Sequence, residues 1–325
     1  MSGIAGATRA ERVIAIGASA GGVDALQTLL ARVPTDLTAP VLIVLHLPAT
    51  GNSVLPRILE RRCPLPVAFA GHGQPLVGGR VYVAPPDHHL VVVEGAVELS
   101  HGPKENASRP AIDVLLRTAA AIYGPRVIGV VLSGNLDDGA AGLKDVVTAG
   151  GVGVVQDPND AAYPDMPRNA IRHASPQYVL PLSGISDLLE ELGTTPVEGA
   201  QTMPDIETSD PVTGDNSGWG MSCPDCSGVL HQVGTNPLRF RCRVGHAWTE
   251  HNLMDKRDDE IENALWIAVR SLEEKKELLE RMAKQSEAGG WRHSTSMLRA
   301  RATNVDTALT VLRDLLLQPT GVGRD

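Results

Sequence analysis

Aromatic residues are scarce in this chain: Phe, Trp and Tyr together make up 3% of its 325 residues. Hydrophobic residues still account for 42%, so a sizeable core is expected, and it must be built from Val, Leu, Ile and Ala. A basic excess is also missing, because the formal net charge is −9. This charge argues against nucleic-acid binding, which normally requires a basic face. The length exceeds what one compact domain usually needs, so at least two units are expected.

Long apolar runs and an export signal are lacking as well. No run approaches the roughly 20 residues that span a bilayer, and residues 1–12 contain no apolar signal-peptide segment. We therefore expect a cytoplasmic protein that does not insert into a membrane. Only four cysteines are present, and in a reducing compartment metal binding or free thiols are favoured over disulfides.

Short apolar segments alternate with helical patterns across residues 11–195, which we assign to one domain. Most of these segments are apolar on both faces, as in strands covered by helices on each side. The pattern predicts an α/β fold with a doubly wound, mainly parallel sheet and helices on both faces. Residues 88–100 predict an antiparallel hairpin that turns at Glu94-Gly95 and would make the sheet mixed. Strands are predicted over 13–16, 41–47, 80–84, 90–93, 127–132, 152–155 and 178–182, and helices over 22–31, 53–61, 111–123, 140–149 and 166–173.

The remaining chain divides into three segments by composition. Residues 196–220 are rich in Thr, Pro, Ser, Asp and Gly, which is typical of a flexible linker. Residues 221–251 contain a compact cysteine segment, and residues 252–318 predict a helical hairpin that breaks at 287–290. This tail could be a self-packed hairpin, a dimerising coil, or a docking module for a regulatory partner.

The segment Gly17-Ala18-Ser19-Ala20-Gly21 fits the pattern G-x-S-x-G, with a predicted strand before it and a helix after it. Glycines on either side of a nucleophile relieve crowding in the tight turn. The helix that begins there offers backbone N–H groups, including those near Ala20 and Gly21, for a developing oxyanion. Two alternatives are a phosphate-binding turn and a purely structural one. The dinucleotide fingerprint is not matched, because Ser19 occupies the place of its second glycine.

A serine nucleophile needs a base and a carboxylate that orients the base. His46 ends the second predicted strand, and the turn Gly134-Asn-Leu-Asp-Asp-Gly follows a later strand and carries Asp137 and Asp138. In a parallel sheet these strand ends share one edge with Ser19, the edge where such sheets bind ligands. One of the two aspartates is expected to be only a helix N-cap. The order Ser, His, Asp differs from that of the α/β-hydrolases.

These motifs resemble the CheB-type chemotaxis methylesterases, from about Arg12 to Leu192. The resemblance implies hydrolysis of glutamate γ-methyl esters on receptor proteins with release of methanol, and often deamidation of receptor glutamines. No cofactor is implied for this catalysis. The matching segments, in order, are IGASAGG at 16–22, LHLP at 45–48, VAPPDHHL at 83–90, SRPAID at 108–113, LSGNLDDGA at 132–140, QDP at 156–158 and MP at 166–167.

The resemblance assigns Ser19 as nucleophile, His46 as base and Asp138 as the carboxylate that orients the base. It places oxyanion support at the helix N-terminus behind Ser19 and at the backbone near Asn135. The chain departs from the family where Ala20 replaces a usual Thr and where the turn at 134–139 differs from the family's Gly-Met-Gly-Asn-Asp-Gly. With only residues 1–12 before the first strand, we expect no receiver domain, and hence regulation of another kind.

A different class of function is also compatible with these residues. The chain could be a signalling module that binds partners through the cleft or the helical tail and no longer hydrolyses. The complete set Ser19, His46 and Asp138 favours the enzyme, whereas the altered turn at Asn135-Leu136 favours the module slightly. A nucleotide-binding protein is disfavoured because the second strand lacks a terminal carboxylate for a ribose.

Cys223-x2-Cys226-x15-Cys242-x3-His246 has the spacing of a structural Cys3His zinc site. Thiolate and imidazole ligands suit zinc better than magnesium or calcium. Four protein ligands leave no open position for a substrate, so a structural role is expected. Redox chemistry at Cys223 and Cys226 is an alternative, as is replacement of His246 by His231 or His251. Cys63 lies outside the pattern.

Overall fold

The computed structural model describes residues 12–48, 53–194 and 220–317. It divides into two compact units, Met1–Leu253 and Met254–Asp325. Apart from Gly220, the segment predicted as a linker lies outside the described residues. The cysteine segment therefore belongs to the same compact unit as the α/β domain.

Among the described residues before residue 195, the first unit contains ten strands and six α-helices. The strands are β1 Val13–Ala18, β2 Val41–Leu45, β3 Val67–Phe69, β4 Gln74–Pro75, β5 Val81–Val83, β6 His89–Val93, β7 Ala96–Ser100, β8 Val127–Val131, β9 Val152–Gln156 and β10 Tyr178–Leu180. The helices are α1 Gly22–Leu30, α2 Leu55–Glu60, α3 Ile112–Tyr123, α4 Ala140–Thr148, α5 Asp165–Ala174 and α6 Leu182–Thr194.

Seven strands form one parallel sheet in the order β10-β9-β8-β1-β2-β5-β3. The predicted doubly wound α/β fold is confirmed. The predicted hairpin, β6 and β7, is also present, but it pairs with β4 in a separate antiparallel sheet. The expectation of a mixed sheet is wrong for this reason. The short strands β3 and β4 were not predicted from the sequence.

Both faces of the sheet are buried, which explains why its strands are apolar throughout. Side chains alternate between the two faces of a strand. Ile14 and Ile16 of β1 pack in a core with α1, α2 and α6, whereas Val13 and Ala15 pack on the opposite side with α3, α4 and α5. The two cores consist almost entirely of aliphatic side chains, as the low aromatic content requires.

The order of the central strands brings three loops together. Because β1 lies between β8 and β2, the carboxyl ends of these three strands are adjacent. The sheet also leaves little space beside β1: a Cβ on Gly17 would stand 2.1 Å from Cγ2 of Ile112 at the start of α3. Glycine at this position therefore allows α3 to begin against the strand that carries the serine turn.

The cysteine segment forms a small antiparallel sheet of β11 Leu230–Thr235, β12 Leu238–Cys242 and β13 Ala247–Thr249. We call residues 220–249 the Cys3His module. Its core contains Cys223, Leu230, Phe240, Cys242, Trp248 and Leu253. Strand β13 also makes an isolated parallel bridge from Ala247 to Glu105 of the α/β domain.

The tail consists of the helices α7 Glu250–Ala288 and α8 Arg292–Leu317. They form the predicted helical hairpin, and the break falls at residues 289–291. The second unit has its own apolar core of Val269, Leu279, Ala283, Leu298, Ala302, Val305 and Leu309. Within the described ranges, no helix is both long and apolar enough to cross a membrane.

Candidate active site

The three predicted catalytic side chains meet at the carboxyl ends of β1, β2 and β8. Nδ1 of His46 lies 3.1 Å from Oγ of Ser19, and Nε2 of His46 lies 2.7 Å from Oδ2 of Asp138. In the serine-protease arrangement Nε2 faces the serine, whereas here Nδ1 does so. With the proton on Nε2 and donated to Asp138, Nδ1 is free to accept the serine proton.

Asp138 is 1% exposed and carries four hydrogen bonds. Its Oδ2 accepts from His46 and from the backbone N–H of Ile112 at 2.7 Å, and its Oδ1 accepts from Nδ2 of Asn106 at 2.9 Å and from the N–H of Asp113 at 3.2 Å. The carboxylate thus lies at the N-terminus of α3, where the helix dipole favours a negative charge. These contacts fix its orientation toward the imidazole.

Asp113 reciprocates this arrangement at the next helix. Its Oδ1 accepts the N–H groups of Gly139 and Gly142 at 3.0 and 2.7 Å, at the start of α4. Asp138 therefore caps α3, which contains Asp113, and Asp113 caps α4, which follows Asp138. Nδ2 of Asn106 donates to both, with Oδ2 of Asp113 at 3.0 Å. Asn106 links the two carboxyl groups.

The two carboxyl groups differ in pKa, because the negative charge of one disfavours ionisation of the other in this buried space. Burial raises the pKa of Asp138, but the hydrogen bonds from His46, the Ile112 N–H and Asn106 outweigh burial and hold that pKa below its ordinary value. Burial, followed by repulsion from Asp138, raises the pKa of Asp113 to about 8. The negative charge is thereby concentrated on the group that faces the imidazole.

Of the predicted oxyanion residues, Ala20 and Gly21 belong to the serine turn, and Asn135 belongs to the turn after β8. The N–H of Ser19 donates to the carbonyl of Ser133 at 3.0 Å and is thus engaged. Gly21 has φ +71° and is the N-cap of α1. Among the described residues, the N–H groups of Ala20 and Gly21 donate to no backbone carbonyl. Asn135 is exposed on the turn after β8.

Neither Asp138 nor its neighbour Asp137 is the helix N-cap that the sequence predicted for one of them. Gly139 is the N-cap of α4, and the side chain that binds the first turn belongs to Asp113. Asp137 is fully buried, and its Oδ1 accepts from Oγ1 of Thr249 at 2.6 Å and from Nδ2 of Asn252. The prediction failed because its partners lie more than 100 residues away along the chain.

Sequence reasoning also did not identify Asn106, which is 4% exposed. It lies in a loop between β7 and α3, and a single Asn in a Gly- and Pro-containing loop carries no pattern. Asp113 had a weak signal, because an acidic residue in the first turn of a helix is favourable. Its pairing with Asp138 is set by the fold alone.

The four predicted metal ligands come together. Among the described His, Cys, Asp and Glu residues, Cys223, Cys226, Cys242 and His246 form one group whose ligand atoms all lie within 4.8 Å of one another. Sγ of Cys242 is 3.6 Å from Sγ of Cys226 and 3.5 Å from Nδ1 of His246. Tetrahedral zinc with bonds of about 2.3 Å to sulfur would require an S–S distance of about 3.8 Å. The donor set and spacing fit such an ion.

The alternative ligands are placed elsewhere. Nδ1 of His251 lies 3.4 Å from Oδ2 of Asp137, and His231 is not part of the cluster. Asp225 stands 4.0 Å from Nε2 of His246, where a carboxylate can orient a ligating imidazole. Cys63 is buried in the core of the α/β domain, and burial raises the pKa of its thiol.

A serine, an imidazole and a buried carboxylate in hydrogen-bond sequence at the edge of a parallel sheet define the class of serine hydrolases. The family model of CheB methylesterase matches residues 14–189, and the chain belongs to this family. The match spans the whole sheet from β1 to α6 and leaves the Cys3His module and the tail outside.

Individual relatives agree with this assignment. A relative from Leptospira interrogans is 42% identical over 186 residues, which are 57% of this chain and 96% of the relative. The protein-glutamate methylesterase/protein-glutamine glutaminase 2 of Methanosarcina mazei is 39% identical over 188 residues, 55% of this chain and 51% of that protein. The catalytic domain of Thermotoga maritima CheB methylesterase superposes with a TM-score of 0.54 and 34% identity, over 56% of this chain and 98% of that one.

Proposed function

We propose that this protein is a protein-glutamate methylesterase that uses Ser19 as its nucleophile, His46 as its base and Asp138 as the carboxylate that orients the base. The observation that carries the proposal is the continuous chain of hydrogen bonds from Oγ of Ser19 through the imidazole to Asp138, at 3.1 and 2.7 Å. Family membership supports the choice of an ester substrate.

In the first half of the reaction, Oγ of Ser19 attacks the γ-carbonyl carbon of a methylated glutamate while Nδ1 of His46 takes the hydroxyl proton. Asp138 stabilises the imidazolium that forms. The carbonyl oxygen becomes an oxyanion, and the N–H groups of Ala20 and Gly21 stabilise it together with the backbone near Asn135. The C–O bond to the methoxy group then breaks, and His46 gives its proton to the departing methoxy oxygen, which leaves as methanol.

In the second half, water attacks the acyl-enzyme and His46 again serves as base. The ester bond to Ser19 breaks, His46 returns the proton to Oγ of Ser19, and the products are a free glutamate side chain and the regenerated serine. A glutamine side chain would follow the same course with ammonia as the leaving group. Glutaminase activity therefore forms part of the proposal, in keeping with the name of the Methanosarcina mazei relative.

The substrate class that fits best is a methylated receptor or related signalling protein, as the family's chemistry implies. We place the reaction in the cytoplasm, where thiols such as those of Cys223 and Cys242 remain reduced. A catalytically inactive signalling module is less favoured, because the hydrogen-bonded geometry of Ser19, His46 and Asp138 is complete. The helical hairpin is retained as a candidate docking site for a regulatory partner.

Methanol release from a peptide that contains glutamate γ-methyl ester tests the activity. The full-length wild type should release methanol, and Ser19→Ala should lose at least about 10³-fold in kcat, because a triad member acts only in the transition state. Ammonia release from the matching glutamine peptide tests the glutaminase reaction. Equal turnover by the wild type and Ser19→Ala would refute the esterase.

We also propose that the Cys3His module binds one structural zinc ion through Cys223, Cys226, Cys242 and His246. Such an ion would fix the two turns that carry the ligands, and with four protein ligands it would take no part in hydrolysis. Metal analysis of the purified protein should give about one zinc per chain, and Cys226→Ser should lower that content. Cys63→Ser is the matched control and should keep it. Protein that remains metal-free after equilibration with zinc would overturn this site.

A further inference from the structure

Residues 247–252, which we call the docking segment, comprise strand β13 of the Cys3His module and the first three residues of α7. They lie against the residues that support Asp138. The N–H of Asn106 donates to the carbonyl of Ala247 at 2.9 Å, and the N–H of Thr249 donates to Oδ1 of Asn106 at 2.9 Å. Thr249 is fully buried. Asn106 is thus held on one side by the docking segment and bound on the other to Asp113 and Asp138.

This arrangement determines which way the Asn106 amide points. A carboxamide has an acceptor on one side and two donor hydrogens on the other. Because the Thr249 N–H occupies the acceptor, Nδ2 must face the carboxyl groups of Asp113 and Asp138. A rotated amide would place its oxygen against a carboxylate. The docking segment therefore selects the rotamer that supports Asp138.

The backbone of this loop also depends on its surroundings. Asn106 and Ala107 have φ values of 52° and 60°. Asn tolerates the left-handed region, but Ala is strained there because its Cβ crowds the backbone, and such conformations persist only where neighbouring contacts hold them. The contacts with Ala247 and Thr249 are contacts of this kind.

The docking segment makes a second set of contacts, with Asp137, beside its contacts with Asn106. Oδ1 of Asp137 accepts from Oγ1 of Thr249 and from Nδ2 of Asn252, and Nδ1 of His251 lies 3.4 Å from its Oδ2. Asp137 precedes Asp138 in the chain, so the docking segment also holds the turn from which Asp138 projects.

A buried ion cluster fastens the module to the same loop. Glu105, next to Asn106, is 8% exposed and pairs with Arg117 at 2.7 Å, while Arg239 and Arg241 of β12 lie 3.7 and 4.0 Å from its oxygens. Burial raises the pKa of Glu105, but the three guanidinium groups outweigh it and keep the pKa below its ordinary value. The contact therefore joins one buried carboxylate to three guanidinium groups of opposite charge.

We propose that the docking segment is a positioning element of the active site, which acts through Asn106 and Asp137 to hold Asp138 against His46. It touches no reacting atom. Hydrolysis then requires a docked module, and displacement of the module would lower the activity without any change at Ser19. This inference rests on the proposed methylesterase function.

The double variant Thr249→Val/Asn252→Ala in the full chain tests the inference. It removes both donors to Oδ1 of Asp137 and weakens docking, because a buried acceptor that loses its hydrogen-bond partners is destabilising. We expect kcat to fall about 10- to 100-fold, the usual effect of a displacement of about 1 Å, while KM stays within about two-fold. Thr249→Ser, which keeps the hydroxyl, should retain the wild-type kcat.

Two further measurements separate positioning from a general loss of structure. Amide hydrogen exchange over residues 104–113 should accelerate in the double variant, whereas exchange in β1 and β8 should not. Adding the double substitution to Asn106→Ala should cost little more in kcat than Asn106→Ala alone, because both act on the same support. The matched control Thr235→Val/Asn263→Ala removes the same groups at exposed positions and should behave as the wild type.

Different results would overturn the positioning role and the proposed function. Unchanged kcat and unchanged exchange over 104–113 in the double variant would overturn the inference, as would full additivity with Asn106→Ala. If the double variant unfolds, Thr249→Val and Thr249→Ser are compared instead, and equal kcat in the two overturns it. If the wild type hydrolyses no faster than Ser19→Ala, the proposed function fails, and the exchange of residues 104–113 still decides whether the segment holds the loop.

Discussion

The two sides of the candidate active site are built in different ways. The nucleophile side, Ser19 and His46, lies at the ends of adjacent strands and is partly exposed. The carboxylate side, Asp138 with Asp113 and Asn106, is almost fully buried, with exposures of 1%, 0% and 4%. Its hydrogen bonds join segments of the chain as distant as residues 106 and 249. Reactive atoms thus remain accessible while the group that orients them is held rigidly.

The nucleophile side is therefore accessible to a substrate, whereas the carboxylate side fixes the orientation of His46. A nucleophile must reach a protein substrate, so it cannot be enclosed. A carboxylate that only orients an imidazole works best with every lone pair engaged, because a partly satisfied buried charge would shift toward water or become protonated. The Cys3His module contributes to the enclosed side, through Thr249 and Asn252.

The largest effect is expected from Asp138→Asn. The amide would donate to Nε2 of His46 and leave the imidazole proton on Nδ1, facing Ser19, so the base is lost. We expect kcat to fall about 10⁴-fold, as for the corresponding change in serine proteases, with the fold retained by circular dichroism. Methanol release at substrate saturation measures it.

The adjacent substitution Asp137→Asn is the control for Asp138→Asn. It preserves an acceptor oxygen for Thr249 and Asn252, so its loss in kcat should be at most about 100-fold. Similar losses in the two variants would contradict the distinct roles assigned to these neighbouring carboxylates.

The nucleophile side could be predicted from the sequence and the carboxylate side only in part. Strand, turn and helix patterns are local. The motif G-x-S-x-G at 17–21 therefore predicted Ser19 as the nucleophile, and the end of the second predicted strand indicated His46 as the base. Asp138 followed from a similar turn. Asn106 and Thr249 could not be predicted, because their roles arise from contacts between loops that no periodicity connects. Asp137 was misinterpreted for the same reason, whereas the metal ligands lie in a local spacing that sequence alone shows.

The second largest effect, on stability, is expected from Asp113→Asn and should depend on pH. The amide places a donor opposite Nδ2 of Asn106, which costs about 1–3 kcal/mol. In the wild type, the pKa of Asp113 is raised to about 8, whereas the unfolded value is about 3.9. Between these values the folded protein binds the extra proton, so this group's contribution to the free energy of unfolding decreases as pH rises, by at most about 1.4 kcal/mol per pH unit.

The advantage of the wild type over Asp113→Asn should therefore shrink from pH 5 to pH 8, as measured by urea unfolding. Asp187→Asn is the control, because its contact with Arg32 is at the surface, with side chains 66% and 51% exposed. Its stability relative to the wild type should change little over this range. A constant difference for Asp113→Asn would show that Asp113 is ionised in the folded protein.

The smallest effect is expected on the nucleophile side, from Ser133→Ala. Oγ of Ser133 donates to the carbonyl of Ala20 at 2.8 Å and accepts the N–H of Tyr163 at 3.0 Å, and so supports the serine turn. The loss of these bonds should cost about 1–2 kcal/mol in unfolding free energy. It should reduce kcat by less than about 10-fold, because the N–H of Ser19 still donates to the carbonyl of Ser133. A loss in kcat of about 100-fold or more would mean that the partly exposed side needs the same rigid support as the buried one.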